Sequence, residues 1–291
     1  ECGDGSVICW LSEHDPIDRM KGTVGVVLRP GVAYLETRMR LCNRTPVTRS
    51  FLWWENAAVP VNEHYQIFFP KDVTYVNFHY LDSRASYPVA GDCTFNGIDM
   101  RTPRDISWHK NTQDATSYFA CASKYDFFGG YDHGFDCGVV HIGDHHISPG
   151  KKMFTWAYNQ LAKTWENTLT DTDGQYAELM AGSYTDNQPN FAWLEPYETK
   201  EFSQYWYPIS RIGTPDFANL QCAISLQEDT VWLQATEPLG EALVEITADG
   251  AVILSERVVL NPGAPVKLDW QRPSALVSIR VTSGGRTAAE Y

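Results

Sequence analysis

The sequence is poor in positive charge, in long apolar runs and in helical patterns. Its 291 residues include 23 Lys and Arg against 36 Asp and Glu, a formal net charge of −13. Because so few basic groups cannot form a phosphate-binding face, we expect neither nucleic acid nor an anionic membrane as a partner. No apolar run approaches the roughly 20 residues that span a bilayer. The chain begins with Glu1 and shows no signal-peptide pattern, which indicates a processed or cut start.

Motifs for nucleotide binding and for covalent catalysis are also missing. The sequence has no Walker A motif, no G-x-G-x-x-G and no G-x-S-x-G elbow. We therefore expect no cofactor, and proton transfer by carboxylate and imidazole is the chemistry that the chain supports best. Its seven cysteines are odd in number, widely spaced and without a C-x-x-C pair, which favours reduced thiols and a cytoplasmic location.

Aromatic and β-branched residues, in contrast, are abundant. The chain has 10 Trp, 15 Tyr and 13 Phe, residue types that fill β cores and offer flat apolar faces to sugars. Short runs rich in them, broken by Gly, Pro, Asn and Asp, are typical of an all-β protein. The predicted strands before residue 212 are 24–30, 33–43, 51–59, 65–70, 117–123, 137–144, 152–159, 176–182 and 200–209. So many strands predict large sheets packed face to face.

The residue composition of the sequence changes near residues 212–220. Beyond them aromatic residues thin out, and Val, Leu and Ile alternate with polar residues. The pair Asp249-Gly250 between two alternating runs predicts a hairpin. We interpret residues 1–215 as one large β domain and residues 216–291 as a small immunoglobulin-like sandwich of six or seven strands, with a spacer or docking role.

Candidate functional residues lie in four clusters, all before residue 210. The first cluster follows one predicted strand and contains Trp53, Trp54, Glu55 and Asn56. Adjacent residues of a strand point to opposite faces, so at least one of the two Trp side chains should face away from its own core. Ligand contact and an ordinary strand end both remain open for this cluster.

The second cluster, residues 129–146, is rich in histidine. A metal site made of His133, His141 and His145 is one interpretation, because imidazoles two apart on a strand can converge. The spacing matches no strong metal signature, and we expect no metal. Sugar binding or proton transfer by His133 and His141 is the second interpretation, and ordinary hydrogen-bonded histidines are the third.

The last two clusters lie on predicted strands that follow the histidines. In one, Lys152 of an adjacent lysine pair can reach a concave surface or stay solvated, and Trp156 follows on the same strand. In the other, the strand at 176–182 carries Glu178 in its middle, and a polar loop with Asn187 and Gln188 comes next. That Glu is either a solvent-facing side chain or a general acid or base beside a polar ligand.

Residues 176–209 resemble the closing segment of galactose mutarotase-like (aldose 1-epimerase) domains, in which a strand with the catalytic Glu precedes a polar loop and a Pro-x-Glu-Thr turn. The whole run 1–226 resembles an uncharacterised bacterial family with this fold, often linked to tetratricopeptide repeats. The motifs that carry the closer resemblance lie at 43–46, 51–59, 68–73, 126–134, 145–156 and 178–191. The resemblance implies a galactose mutarotase-like supersandwich, an all-β fold.

The resemblance also implies a function and a site. Glu178 would take the proton of an anomeric hydroxyl, and an imidazole, His133 first and His141 second, would protonate the ring oxygen. Family members place a catalytic His where Trp54, Glu55 and Asn56 stand here, so His133, His141 or His79 must supply the acid. Aromatic platforms would come from Trp53, Trp54 and Trp156.

Three further expectations follow from the resemblance. Family members start with strands that would precede residue 1, so we expect an open sheet edge and self-association through it. A non-catalytic glycan-binding or scaffolding module is the first alternative to an isomerase. Cleavage of a glycosidic bond by Glu178 with Glu55 is the second alternative.

Overall fold

The computed structural model describes residues 2–78, 83–91, 94–95, 98–187 and 190–291. Strands make up 54% of it and helices 5%, which confirms the all-β prediction. The strands are β1 (Val7–His14), β2 (Met20–Leu28), β3 (Leu35–Asn43), β4 (Arg49–Phe51), β5 (Trp53–Pro60), β6 (Tyr65–Phe68), β7 (Tyr75–Asn77), β8 (Arg84–Ser86), β9 (Val89–Ala90), β10 (Thr94–Phe95), β11 (Ile98–Asp99), β12 (Arg104–Asp105), β13 (Thr116–Ala120), β14 (Phe127–Asp132), β15 (Cys137–Ile142), β16 (Gly150–Thr155), β17 (Tyr176–Ser183), β18 (Ala192–Leu194), β19 (Thr199–Ser210), β20 (Phe217–Ala218), β21 (Cys222–Leu226), β22 (Thr230–Ala235), β23 (Gly240–Ala248), β24 (Ala251–Leu260), β25 (Val266–Asp269), β26 (Val277–Ser283) and β27 (Arg286–Glu290).

Two large sheets form the first part of the chain. A seven-stranded sheet has the order β1-β2-β3-β19-β15-β14-β6, and a six-stranded sheet has the order β5-β17-β16-β13-β7-β8. Their facing sides enclose an apolar core to which Ile67, Phe128, Met153 and Leu179 belong. All nine strands predicted before residue 212 are present, within a few residues at each end.

Strand β14, which contains the run Gly129-Gly130-Tyr131-Asp132, is not among the strands predicted from the sequence. Both glycines are needed for packing. A Cβ on Gly129 would lie 2.1 Å from the Val139 carbonyl oxygen, and one on Gly130 would lie 2.0 Å from the Tyr65 hydroxyl. Glycine therefore serves here to let a neighbouring strand and a Tyr side chain approach the backbone closely.

Two helices occur among the described residues, a 3₁₀ turn at His109–Asn111 and α1 at Gln160–Leu169. The side chain of Asn159 caps α1 by accepting a hydrogen bond of 2.9 Å from the Ala162 amide. This N-cap signal is present in the sequence, but the helix was not predicted. Neither helix has both the length and the apolar character needed to cross a bilayer.

The C-terminal part of the chain contains two four-stranded sheets, β20-β21-β22-β25 and β24-β23-β26-β27. Apolar side chains between them form a second core that includes Ile224, Val244 and Ile279. The predicted hairpin is confirmed: Asp249 and Gly250 connect β23 to β24 with φ of 50° and 80°. Positive φ at both central residues is what the favoured two-residue hairpin turn requires.

A third apolar cluster joins the seven-stranded sheet to the C-terminal sheets. It includes Phe127 and Tyr207 on the large sheet, and Ala218 and Ala223 on β20 and β21. The division of the chain at residues 215 and 216 stays a prediction. The open edge also stays a prediction, although β1, an edge strand of the large sheet, exposes Trp10 and Leu11.

Candidate functional site

Glu178 lies on the outer face of the six-stranded sheet. Its strand β17 runs between β5 and β16, and Ala177, Leu179 and Ala181 point into the core. Because side chains alternate along a strand, Glu178 and Met180 point to the opposite side. Glu178 is half-buried there. We call this side of the sheet the outer face.

Asn56 orients the Glu178 carboxylate. It lies on β5, the edge strand beside β17, and its Nδ2 donates a hydrogen bond of 2.7 Å to Glu178 Oε2. One carboxylate oxygen is thus held by an amide. The sheet backbone supplies the rigidity that a proton-transfer group needs.

Lys152 is the cationic side chain beside Glu178 on the outer face. It lies on β16, where it pairs with Met180 while Phe154 pairs with Glu178, so the two charged residues are diagonal neighbours on one face. Lys152 is 4% exposed, and its Nζ lies 4.8 Å from the centre of the Phe119 ring. Burial lowers the pKa of Lys152 to about 8, and the charge of Glu178 opposes this shift.

Trp54 covers the end of the outer face next to these charges. A Cβ added to Gly182 would lie 2.5 Å from its ring, and one added to Gly150 would lie 2.7 Å from it. The indole therefore lies across two neighbouring strands at the positions where they carry no side chain. Its ring centre is 5.9 Å from Lys152 Nζ, which places an aromatic surface beside the buried ammonium.

A second aromatic surface adjoins the other end of the outer face. Trp156 Nε1 donates a hydrogen bond of 2.9 Å to the Tyr176 hydroxyl. The ring of Trp156 stacks on Trp165 of α1, with centroids 5.4 Å apart. Trp165 is exposed, so this pair presents a flat apolar surface beside Glu178's own strand.

Other predicted site residues face the space between the two large sheets. Glu55 alternates with Trp54 and Asn56, and it accepts a hydrogen bond of 3.0 Å from Trp206 Nε1. Burial raises the pKa of Glu55, while hydrogen bonds from Thr37 and Trp206 oppose the shift. Trp53 also faces inward and packs in an apolar cluster that includes Met39, Leu41, Leu194 and Phe202. These two residues and Glu178 are on opposite sides of the six-stranded sheet.

Both predicted acid histidines are remote from the outer face. His141, on β15, is 1% exposed and lies against Phe128 and Trp206 in the interior. His133 follows β14 at the end of the seven-stranded sheet, where its Nε2 lies 2.9 Å from Gln66 Oε1. The structure brings neither imidazole into contact with Glu178.

The polar loop after β17 is partly described. Asn187 is buried in that loop, and Gln188 lies outside the described residues, as does His79. Sequence reasoning missed the part played by Gly150, Gly182 and Phe119. The two glycines could have been found from the alternation of side chains along a strand. Gly150 lies two residues from Lys152 and Gly182 lies four residues from Glu178, and residues an even number apart share one face.

Comparison with known protein families assigns the chain to a family. A family model described as "Domain of unknown function (DUF5107)" matches residues 1–209, which is most of the chain. The chain belongs to the DUF5107 family. This match confirms the resemblance to an uncharacterised family that the sequence motifs indicate.

Solved structures similar to this DUF5107 chain include a TPR-domain containing protein from Parabacteroides distasonis, with 22% identity and a TM-score of 0.57 over 70% of this chain and 32% of that chain. This chain therefore spans about a third of that protein. The Slr1438 protein from Synechocystis sp. PCC 6803 has 12% identity and a TM-score of 0.49, over 72% and 64% of the two chains. A galactose mutarotase related enzyme from Lactobacillus acidophilus has 12% identity and a TM-score of 0.47, over 74% and 71%. The first of these structures, at 22% identity, shows a likeness of fold alone.

Gly182→Ala should displace Trp54 from its place in the DUF5107 chain. The new methyl group meets the indole at 2.5 Å, so the ring must tilt away at a cost of about 1–3 kcal/mol. We expect a lower urea midpoint and a changed near-UV circular dichroism spectrum. Gly174→Ala is unsuitable as a control because Gly174 has a positive φ. Gly3→Ala is suitable, since nothing lies within 4 Å of the added Cβ, and equal midpoints for the Gly182 and Gly3 variants would contradict the packing role.

Proposed function

We propose that the outer face recognises a carbohydrate and transfers protons at its anomeric centre. The observation that supports this most strongly is the diagonal placement of Glu178 and Lys152 on one sheet face. A carboxylate and an ammonium can act as base and acid on two oxygens of one sugar ring. Trp54 beside them offers the aromatic face on which a sugar ring packs.

The proposed reaction begins with ring opening. The Glu178 carboxylate accepts the proton of the anomeric hydroxyl, the Lys152 ammonium donates a proton to the ring oxygen, and the bond between this oxygen and the anomeric carbon breaks. The carbonyl carbon then rotates. In reclosure Lys152 accepts the proton of the chain hydroxyl and Glu178 returns its proton to the carbonyl oxygen, which gives the other anomer and restores both groups.

This assignment gives Lys152 the acid role for which the sequence favours His133 and His141. The interior position of His141 and the contact of His133 with Gln66 support the change. The glycosidase alternative loses support for a similar reason. Glu55 faces the interior, so Glu178 and Glu55 cannot flank one glycosidic bond on the outer face.

A non-catalytic glycan-binding role is the second candidate function. The stacked pair of Trp156 and Trp165 favours it, because an exposed flat surface binds sugars without chemistry. An assay with the full chain and a panel of aldoses separates the two functions, with the rate of mutarotation measured by polarimetry. Faster mutarotation supports the enzyme, and binding to a glycan array with no mutarotation supports the binding module.

The proposed acid role of Lys152 predicts an alkaline limit to activity. The ammonium form carries the proton, and burial lowers the pKa of Lys152 to about 8, so turnover should be close to full at pH 7 and should fall tenfold per unit above pH 8. Lys152→Met should abolish most of the activity, and the activity that remains should no longer fall above pH 8. Lys110→Met is a matched control, since Lys110 contacts the Trp108 ring and not the outer face. A rate that is flat from pH 7 to pH 10 would contradict the role.

A further inference from the structure

The turn between β15 and β16 carries a cluster of metal-ligand groups that the proposed function does not use. One ligand atom from each of Asp144, His145 and His146 lies within 4.8 Å of the other two. We propose that these three residues bind a divalent transition-metal ion. Two ligand atoms on one ion lie at most about 4.4 Å apart, because metal–nitrogen and metal–oxygen bonds are about 2.0–2.2 Å long, so a small side-chain movement brings the three groups onto one ion.

Asp126 holds one of the imidazoles in an orientation suited to a metal. Its Oδ1 lies 2.7 Å from His145 Nδ1 and also accepts a hydrogen bond of 2.8 Å from the His145 amide. A carboxylate bound to one ring nitrogen fixes the tautomer and leaves Nε2 as a lone-pair donor. This contact is independent of the cluster itself, and it is the arrangement that supports metal-bound histidines.

The backbone of the turn holds the Asp144 carboxylate beside the two histidines. The Asp144 carbonyl accepts a hydrogen bond of 2.9 Å from the Ile147 amide, and the Asp144 carboxylate accepts one of 2.9 Å from the His146 amide. The two imidazole rings have centroids 3.9 Å apart. The two imidazoles therefore lie side by side next to the Asp144 carboxylate.

The donor set selects the class of metal. Two imidazoles and one carboxylate suit Zn²⁺, Ni²⁺ or Cu²⁺, whereas Mg²⁺ and Ca²⁺ prefer oxygen ligands. Three protein ligands leave room for water or another small ligand on the ion. From the sequence we expect no metal, and the set His133, His141 and His145 is only one interpretation there. The proposed site shares His145 with that set, since His141 is enclosed between Phe128 and Trp206 and His133 lies against Gln66.

Isothermal titration of the full chain with ZnCl₂ tests the site. The thiols are first blocked with iodoacetamide, because Cys2, Cys9 and Cys137 are exposed and bind zinc themselves. We expect one bound Zn²⁺ per chain. Asp126→Asn should weaken binding by about 10- to 100-fold through loss of the orienting carboxylate, and the double variant His145→Gln, His146→Gln should weaken it further.

The matched control is His14→Gln, which removes an exposed imidazole from β1. This variant should bind Zn²⁺ as the unaltered chain does. Circular dichroism of each variant checks that it is folded, and the Co²⁺ absorption spectrum gives a second readout of nitrogen ligation. Equal zinc affinity in the double variant and the unaltered chain would overturn the proposal, as would the absence of measurable binding to the unaltered chain.

Discussion

Glu178→Gln is expected to reduce aldose mutarotation by about 100-fold or more, the loss that follows removal of a general base. The Gln side chain keeps the size of Glu and can still accept the hydrogen bond from Asn56 Nδ2, so sugar affinity should change little. Turnover depends on a group that accepts a proton, whereas affinity depends on the aromatic and amide contacts that remain. Polarimetry and titration calorimetry on the same preparation measure the two quantities.

Glu201→Gln is the matched control for this experiment. Glu201 lies on β19 of the other large sheet and pairs with Arg40 at the surface, so its loss should leave mutarotation unchanged. An unaltered rate in the Glu178 variant would refute the catalytic proposal and leave the binding module. Loss of rate in both variants to the same extent would point to a general effect on folding instead of proton transfer.

Acid is expected to destabilise the chain steeply through His141. This imidazole is 1% exposed, and burial lowers its pKa to about 3, with a further contribution from the charge of Lys151. In the unfolded chain the imidazole takes up a proton near pH 6.5, whereas in the folded chain it stays neutral until about pH 3. The unfolded state therefore binds more protons between these values, and stability is lost as the pH falls from 6.5. The slope is about 1.4 kcal/mol per pH unit for one such group.

His141→Phe isolates this contribution. Phenylalanine does not titrate and can pack between Phe128 and Trp206, so the free energy of unfolding should depend less on pH between 6 and 4. Urea denaturation at several pH values measures the slope for both chains. His109 also has a lowered pKa, of about 4, through burial, so part of the acid dependence should persist. Parallel slopes for the variant and the unaltered chain would contradict the assignment.

Alternation of side chains along the strands predicts part of the candidate site from the sequence. Alternation along the strand at 176–183 already separates Glu178 from Ala177 and Leu179, and the structure keeps that separation. The same rule places Trp53 and Glu55 on one face and Trp54 and Asn56 on the other. All four therefore could not line one site, although the sequence-based hypothesis grouped them.

Alternation along single strands cannot identify the acid partner of Glu178. Lys152 and Glu178 are 26 residues apart, and a helix and a turn separate their strands. Their proximity depends on the register in which β16 pairs with β17, and a shift of one residue would turn Lys152 into the core and Lys151 out of it. From the sequence, histidine is favoured as the acid because its ordinary pKa is near neutrality. Burial reverses this preference by lowering the pKa of Lys152 to about 8 and that of His141 to about 3.

By itself, the sequence determined the all-β class, the nine strands before residue 212, the Asp249-Gly250 turn and the face of its strand to which Glu178 belongs. These features depend on residue types and on the two-residue period of a strand, which are local properties. Tertiary structure alone decided which strands are neighbours, that Trp54 rests on Gly150 and Gly182, and that His141 is enclosed while Lys152 lies beside a carboxylate. Pairing order and burial arise from contacts between residues far apart in the chain, and they set both the geometry and the pKa values of the site.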